Sequence, residues 1–139
     1  MSDRPFLDTN VLIYAIAQDD PRAAVAEALL GQGGVVSVHV LNEFVAVARR
    51  KLGLSWEEVL DALGAIRALC APPVPITAET HERAVQIAAG HDLHIYDALV
   101  VSAALQAECA ILYSEDMQDG RVFDGRLTLR NPFGSNAAV

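Results

Sequence analysis

The chain has 139 residues, 53% of them hydrophobic, and 18 acidic against 10 basic side chains give it a net charge of −8. That length suits one domain, residues 1–139, with a sizeable core. The charge has the wrong sign for gripping nucleic acid by a broad basic face. No apolar run is long enough to span a membrane, the longest candidate being ALVVSAAL. The opening MSDRPFLD lacks a signal-peptide layout. Cys70 and Cys109 form neither a metal spacing nor a dense disulfide framework. A cytoplasmic protein without membrane attachment is expected, and the high apolar fraction is compatible with an oligomer.

In chain order, residues 4–8 read as a strand ending at Asp8, and 9–17 as a helix. Residues 21–31 continue as an Ala/Leu helix opened by Pro21 and stopped near Gly31, Gly33 and Gly34. GVVS, 34–37, is a short strand, followed by a helix over 38–51 and a stop at Gly53. Ser55 with Glu58 three residues on is a capping-box pattern, opening a helix to about Leu69. APPVPIT cannot be helical, so Val74–Ile76 is a short strand. Thr77 or Thr80 starts a helix to about Gly90, and 97–108 form a nearly all-apolar helix that belongs in the core. Ala110–Tyr113 and Leu127–Leu129 are further strands. Strands alternating with helices point to an α/β fold with a parallel sheet covered on both faces. Ligands in such folds sit beyond the carboxyl ends of the strands, where Asp8 and Asp116 fall.

Four acids lie among or beside apolar residues: Asp8 in FLDTNVLIYA, Glu43 in VLNEFVAVA, Asp97 in IYDALVVSAA and Asp116 in YSEDMQDG. Each has an ordinary reading. Asp8 is at a strand-to-helix junction, where Asp is a favoured cap. Asp97 opens a helix and would suit its dipole. Asp116, with Glu115, Asp119 and Gly120 near it, would suit a polar turn. Glu43 resists that treatment, because it shares a helical face with Val40 and Val47. Brought together, the four would repel one another unless a cation sat among them.

Rival motifs fail on spacing. The four histidines, His39, His81, His91 and His94, contain no HExxH pair. Around Asp116 an EF-hand would need an acid where Met117 stands and a bidentate Glu where Arg126 stands. No Gly-rich phosphate loop, GxSxG elbow or dinucleotide fingerprint is present. Arg49, Arg50 and Lys51 close a helix, where cations suit the dipole, with RNA contact as the secondary reading.

Taken together and in this order, the four phrases resemble the PIN-domain family, particularly the VapC-type toxin ribonucleases, from Phe6 to about Phe133. The resemblance implies a three-layer α/β/α sandwich around a short, mostly parallel sheet. It implies Mg²⁺ or Mn²⁺ in an acidic pocket, with Asp8, Glu43, Asp97 and Asp116 as the catalytic metal cluster. Asp119 would be an additional acid, direct or through water, and Thr9, Asn10 and Ser114 would support the pocket. Such an ion can acidify water and stabilise a departing oxygen, without a nucleophilic side chain. The reaction implied is RNA hydrolysis leaving a 3′-hydroxyl and a 5′-phosphate, with one or two ions. Implied partners are the RNA substrate, a cognate antitoxin and a second copy in a homodimer. The alternatives are a PIN-type nuclease of RNA processing without an antitoxin, and a non-catalytic PIN-like interaction module.

Overall fold

A computed structural model describes residues 3–17 and 19–134, so both ends of the expected 1–139 domain lie outside the described residues. In chain order the elements are β1 (Phe6–Leu7), α1 (Thr9–Ile16), α2 (Ala23–Gly31), α3 (Val38–Arg50), α4 (Trp56–Leu69) and α5 (Ala78–His91). They continue with α6 (Ile95–Gln106), β2 (Ile111–Tyr113), β3 (Val122–Phe123) and β4 (Leu127–Arg130). The sheet order is β1-β2-β4-β3. β1 and β4 each run parallel to β2, while β3 is antiparallel to β4. The architecture is the expected α/β/α arrangement around a small, mostly parallel sheet.

Register places the site. Leu7 lies opposite Tyr113, so β1 and β2 end side by side. The Asp8 N–H donates to Tyr113 O at 3.0 Å, and the Ser114 N–H to Arg130 O at 3.0 Å. Asp8 and Ser114 therefore leave neighbouring strands at the same edge, where strand gives way to helix or turn.

The expected strands at 34–37 and 74–76 shrink to isolated bridges. Val35 pairs with Phe6 and Ser37 with Val74, both in parallel, extending the sheet beyond β1 one link at a time. Gly34 allows the approach to β1. A Cβ there would stand 2.9 Å from the Leu7 side chain and 3.0 Å from Pro5 O, closer than packed carbon atoms tolerate.

α6 starts two residues before Asp97 and is capped by His94, whose Nδ1 accepts the Tyr96 N–H at 3.0 Å. Its buried run, Ala98 and Val100–Leu105, is almost all apolar and includes three alanines and one serine. Ser102 satisfies its hydroxyl by donating to Thr80 O at 2.9 Å. Thr80 in turn completes a capping box with Thr77 and donates to Gln106 Oε1 at 2.6 Å. α5 and α6 are thus joined by buried polar bonds as well as packing. The Ser55–Glu58 capping box of α4 is also formed. α2 begins at Ala23 rather than Pro21, because Asp20 first takes the Arg22 N–H at 2.9 Å.

β3 is an unanticipated strand. Asp124 and Gly125 have φ of 54° and 64°, and the Arg126 N–H donates to Phe123 O at 3.1 Å, closing a tight turn into β4. The hairpin carries Phe123 inward, where it joins Phe6 and Phe44 among the fully buried side chains. Each such ring contributes roughly 1.5–3 kcal/mol of transfer free energy. Among the described residues, no helix is long and apolar enough to cross a membrane.

Candidate active site

Asp8 sits at the carboxyl end of β1 and caps α1, accepting the Thr9 N–H at 2.7 Å through Oδ1. Its other oxygen accepts the Ser114 hydroxyl at 2.7 Å. The residue is only 2% exposed. Burial pushes its carboxyl from an ordinary 3.8 up to about 7; the bonds from Ser114 and Thr9 oppose the rise, and the charges of Asp116 and Glu43 add to it. The capping role and the pocket role coincide in one side chain.

Glu43 reaches the same place from the second turn of α3. The Thr9 hydroxyl donates to its Oε1 at 3.2 Å. His39, one turn earlier, puts Nε2 at 3.3 Å from that oxygen. That nitrogen is buried and has no aligned hydrogen-bond partner; the contact is electrostatic. The imidazole is nevertheless the chief reason that the Glu43 carboxyl lies below its ordinary value, and Thr9 assists against partial burial.

Asp97 projects from the first turn of α6. Burial raises its carboxyl, and the charges of Asp116 and Glu43 raise it further. Asp116 follows β2 at the rim. Asn10 clamps it, donating from Nδ2 to Asp116 Oδ2 at 3.2 Å and to Ser114 Oγ at 3.3 Å. The Asp116 N–H also donates to Ser114 Oγ, at 3.1 Å. Desolvation still raises the Asp116 carboxyl, and Glu115 and Glu43 add their repulsion.

All four acids line one cavity of about 360 Å³. Thr9, Asn10, Ile13, Tyr14, Val47, Lys51 and Glu115 share its wall. Ser114 lies immediately beneath, fully buried and bonded to Asp8. Asp119 is not among the lining residues. Its Oδ1 accepts the Asn131 N–H at 2.8 Å, which ties it to the strap after β4. Glu115 lines the cavity but is occupied elsewhere, accepting from Tyr14 Oη and from Arg22 at 3.2 Å.

The donor set facing the cavity is carboxylate oxygen, hard ligands that suit Mg²⁺ or Mn²⁺. Three of the four carboxyls are raised, each by burial and by the others' charge, the condition that a divalent cation relieves. Among the described residues, no three His, Cys, Asp or Glu side chains are gathered closely enough to enclose an ion as they stand. The fit to such an ion is thus one of donor chemistry, and Mg²⁺ commonly keeps several of its own waters.

Sequence reasoning placed Glu43 on a face with Val47 but did not extend that wall of α3 to His39 and Lys51. His39, Glu43, Val47 and Lys51 form one i, i+4 row, and the signal was that spacing. Nor did it anticipate Tyr14, whose ring lies 3.9 Å from the Arg22 guanidinium. Asp20 binds that guanidinium through both oxygens. That network spans residues 14 to 115, and no local pattern announces it.

Comparison with known proteins adds three findings. A family model described as the PIN domain matches residues 6–120. No curated protein sequence matches the chain. Among solved structures, the chain resembles VapC20 of Mycobacterium tuberculosis, described as a sarcin–ricin loop cleaving toxin. The TM-score is 0.66 at 22% identity, over 80% of this chain and 90% of that one. A toxin–antitoxin complex from Klebsiella pneumoniae gives 0.68 at 20% identity, over 92% and 97%. VapBC2 of Rickettsia felis, bound to a DNA fragment from its promoter, gives 0.65 at 19% identity, over 91% and 96%. At these identities the likeness is one of fold.

Proposed function

The chain belongs to the PIN-domain family, and from that premise we propose that it is a divalent-cation-dependent endoribonuclease, the toxin of a toxin–antitoxin pair. One observation carries the reading: Asp8, Glu43, Asp97 and Asp116 come from four separate elements and line a single cavity. These four would hold Mg²⁺ or Mn²⁺. The ion's contribution, when bound, is to acidify water and to neutralise charge on the phosphate.

The protein's own part is to position and to hold charge. Ser114 and the Thr9 N–H fix both oxygens of Asp8. The Thr9 hydroxyl aims Glu43, and Asn10 aims Asp116. Locked carboxylates lose less freedom when charge arrives. Arg22 and Tyr14 bind the Glu115 carboxylate, which sets a cation against an acid whose charge still bears on Asp116.

The antitoxin half of the reading is supported by the structural neighbours, which include a toxin–antitoxin complex and VapBC2. The net charge of −8 would favour capture of a basic segment. A homodimer is part of the same proposal, as is cytoplasmic action on RNA.

The test is incubation of total cellular RNA with the protein and Mn²⁺, beside Asp8→Ala, with the ends mapped. Expected are cuts by the wild type alone, leaving 3′-hydroxyl and 5′-phosphate ends. Cyclic-phosphate ends, or equal cutting by Asp8→Ala, would overturn the mechanism. Growth arrest on expression alone, relieved by Asp97→Asn and by the product of a short adjacent reading frame, is the expectation for the toxin role. A harmless wild type would remove that role.

A further inference from the structure

We propose that the substrate enters as a single strand laid along α3, with one base stacked on Tyr96 and a neighbouring phosphate held by Lys51, on either side of the carboxylates. The path rests on the ribonuclease reading and specifies how that enzyme would hold its RNA.

The row His39, Glu43, Val47, Lys51 gives the track its frame. Twelve residues at 1.5 Å each make it about 18 Å long. Glu43, Val47 and Lys51 line the cavity, and His39 touches Glu43 at 3.3 Å. At the amino end of the row stands Tyr96, beside the cavity residue Asp97. Its ring centroid lies 5.4 Å from that of His39 and 5.0 Å from that of His94. Tyr96 is 55% exposed although it belongs to the most buried helix of the fold. An aromatic ring left open beside an acidic pocket, in a group of three rings, is a platform for an unstacked base.

At the carboxyl end stands Lys51. Among the described residues lining the cavity it is the one Lys or Arg. Its charge acts on the Asp116 carboxyl, yet it forms no hydrogen bond or ion pair with a described side chain. Two nearby cations are committed. Arg22 binds Asp20 and Glu115, and Arg49 donates to Leu54 O at 2.9 Å and covers the Trp56 ring. A chain of charge −8 has no broad basic surface to offer RNA. Its affinity must come from stacking and from few, well-placed cations, and these two residues supply one of each.

The experiment uses a 12-nucleotide single-stranded RNA spanning a cut mapped as above, with steady-state kinetics in Mn²⁺ at several KCl concentrations. Tyr96→Ala should raise KM about tenfold or more while kcat stays within about twofold, and Tyr96→Phe should restore KM. Lys51→Gln should raise KM and flatten the salt dependence of log KM by about 0.7, with Lys51→Arg keeping the wild-type slope. Both residues are at the surface, so the substitutions leave the core intact. A wild-type KM in Tyr96→Ala or Lys51→Gln, or a loss confined to kcat, overturns the path while leaving the ribonuclease reading standing. A wild-type protein that cuts no RNA overturns both.

Discussion

Replacing Asp8 with asparagine should make the metal-free protein more stable above neutral pH, although it removes a helix-capping carboxylate. Asp8 is 2% exposed, and its carboxyl moves from an ordinary 3.8 to about 7 in the fold. Between those values the folded chain holds a proton that the unfolded chain has released. Stability therefore falls as pH rises through that window. At about 1.4 kcal/mol per pH unit over roughly three units, ionised Asp8 weighs on the fold by about 4 kcal/mol. The amide of Asp8→Asn carries no charge, and asparagine caps helices as well as aspartate does. One bond is mismatched: Ser114 Oγ already accepts from Asn10 and from the Asp116 N–H. An amide NH₂ would meet it as a third donor, at a cost of about 1–3 kcal/mol. The net gain at pH 8 is about 1–3 kcal/mol, or roughly 3–10 °C in Tm for a chain of this size. Thermal unfolding followed by circular dichroism, in EDTA from pH 5 to pH 8.5, measures it. The wild type should lose stability across that range relative to the variant. Parallel curves for the two proteins would refute the burial account of Asp8.

The other expectations are narrower. Glu43→Gln should leave the Tm within about 2 °C, since the side chain is partly exposed and its amide oxygen can still take the Thr9 hydroxyl, while Mn²⁺-dependent cleavage falls about 100-fold or more. Ser114→Ala removes the donor to Asp8 and the acceptor for Asn10 and the Asp116 N–H; urea unfolding should show a loss of about 1–3 kcal/mol. Gly34→Ala would drive a methyl into the Leu7 side chain and Pro5 O; about 1–3 kcal/mol of destabilisation in the same assay is expected, and an unchanged midpoint would mean that the β1 contact gives way freely.

Much of the frame was legible because its signals are local. The Ser55–Glu58 capping box formed as read, and of the two expected starts for α5, Thr77 is the cap, with Thr80 as its partner three residues on. The four acids were legible through their phrases, which set each at the end of a strand or on an apolar helical face. What escaped was set by tertiary contact. The strands expected at 34–37 and 74–76 have the composition for pairing, but each finds a partner for only one residue at a time, too few for a ladder. β3 escaped for a different reason: the Asp124–Gly125 signal was present, but a two-residue strand supplies no periodicity. Asp119 was expected as an extra acid, direct or through water, from the family resemblance alone. The turn instead sends it to the Asn131 N–H, a partner 12 residues away.

The arrangement explains how so small a fold tolerates clustered acids, and why an ion would matter to its stability as well as its chemistry. Asp8 and Asp97 stand at the amino ends of α1 and α6, where helix dipoles offset negative charge. Thr9, Asn10 and Ser114 give the cluster hydroxyl and amide donors. These devices do not suffice, because burial still raises Asp8, Asp97 and Asp116. A cation that binds only the folded chain would then stabilise it by about 2.7 kcal/mol at one hundred times its Kd. Asp8→Asn removes both the buried charge and a ligand, so it should raise stability in EDTA and forfeit most of the gain from Mn²⁺. The two stability curves should therefore converge, or cross, as Mn²⁺ is added at pH 8. A Mn²⁺ response of equal size in both proteins would mean that the ion binds elsewhere, whatever becomes of the RNA.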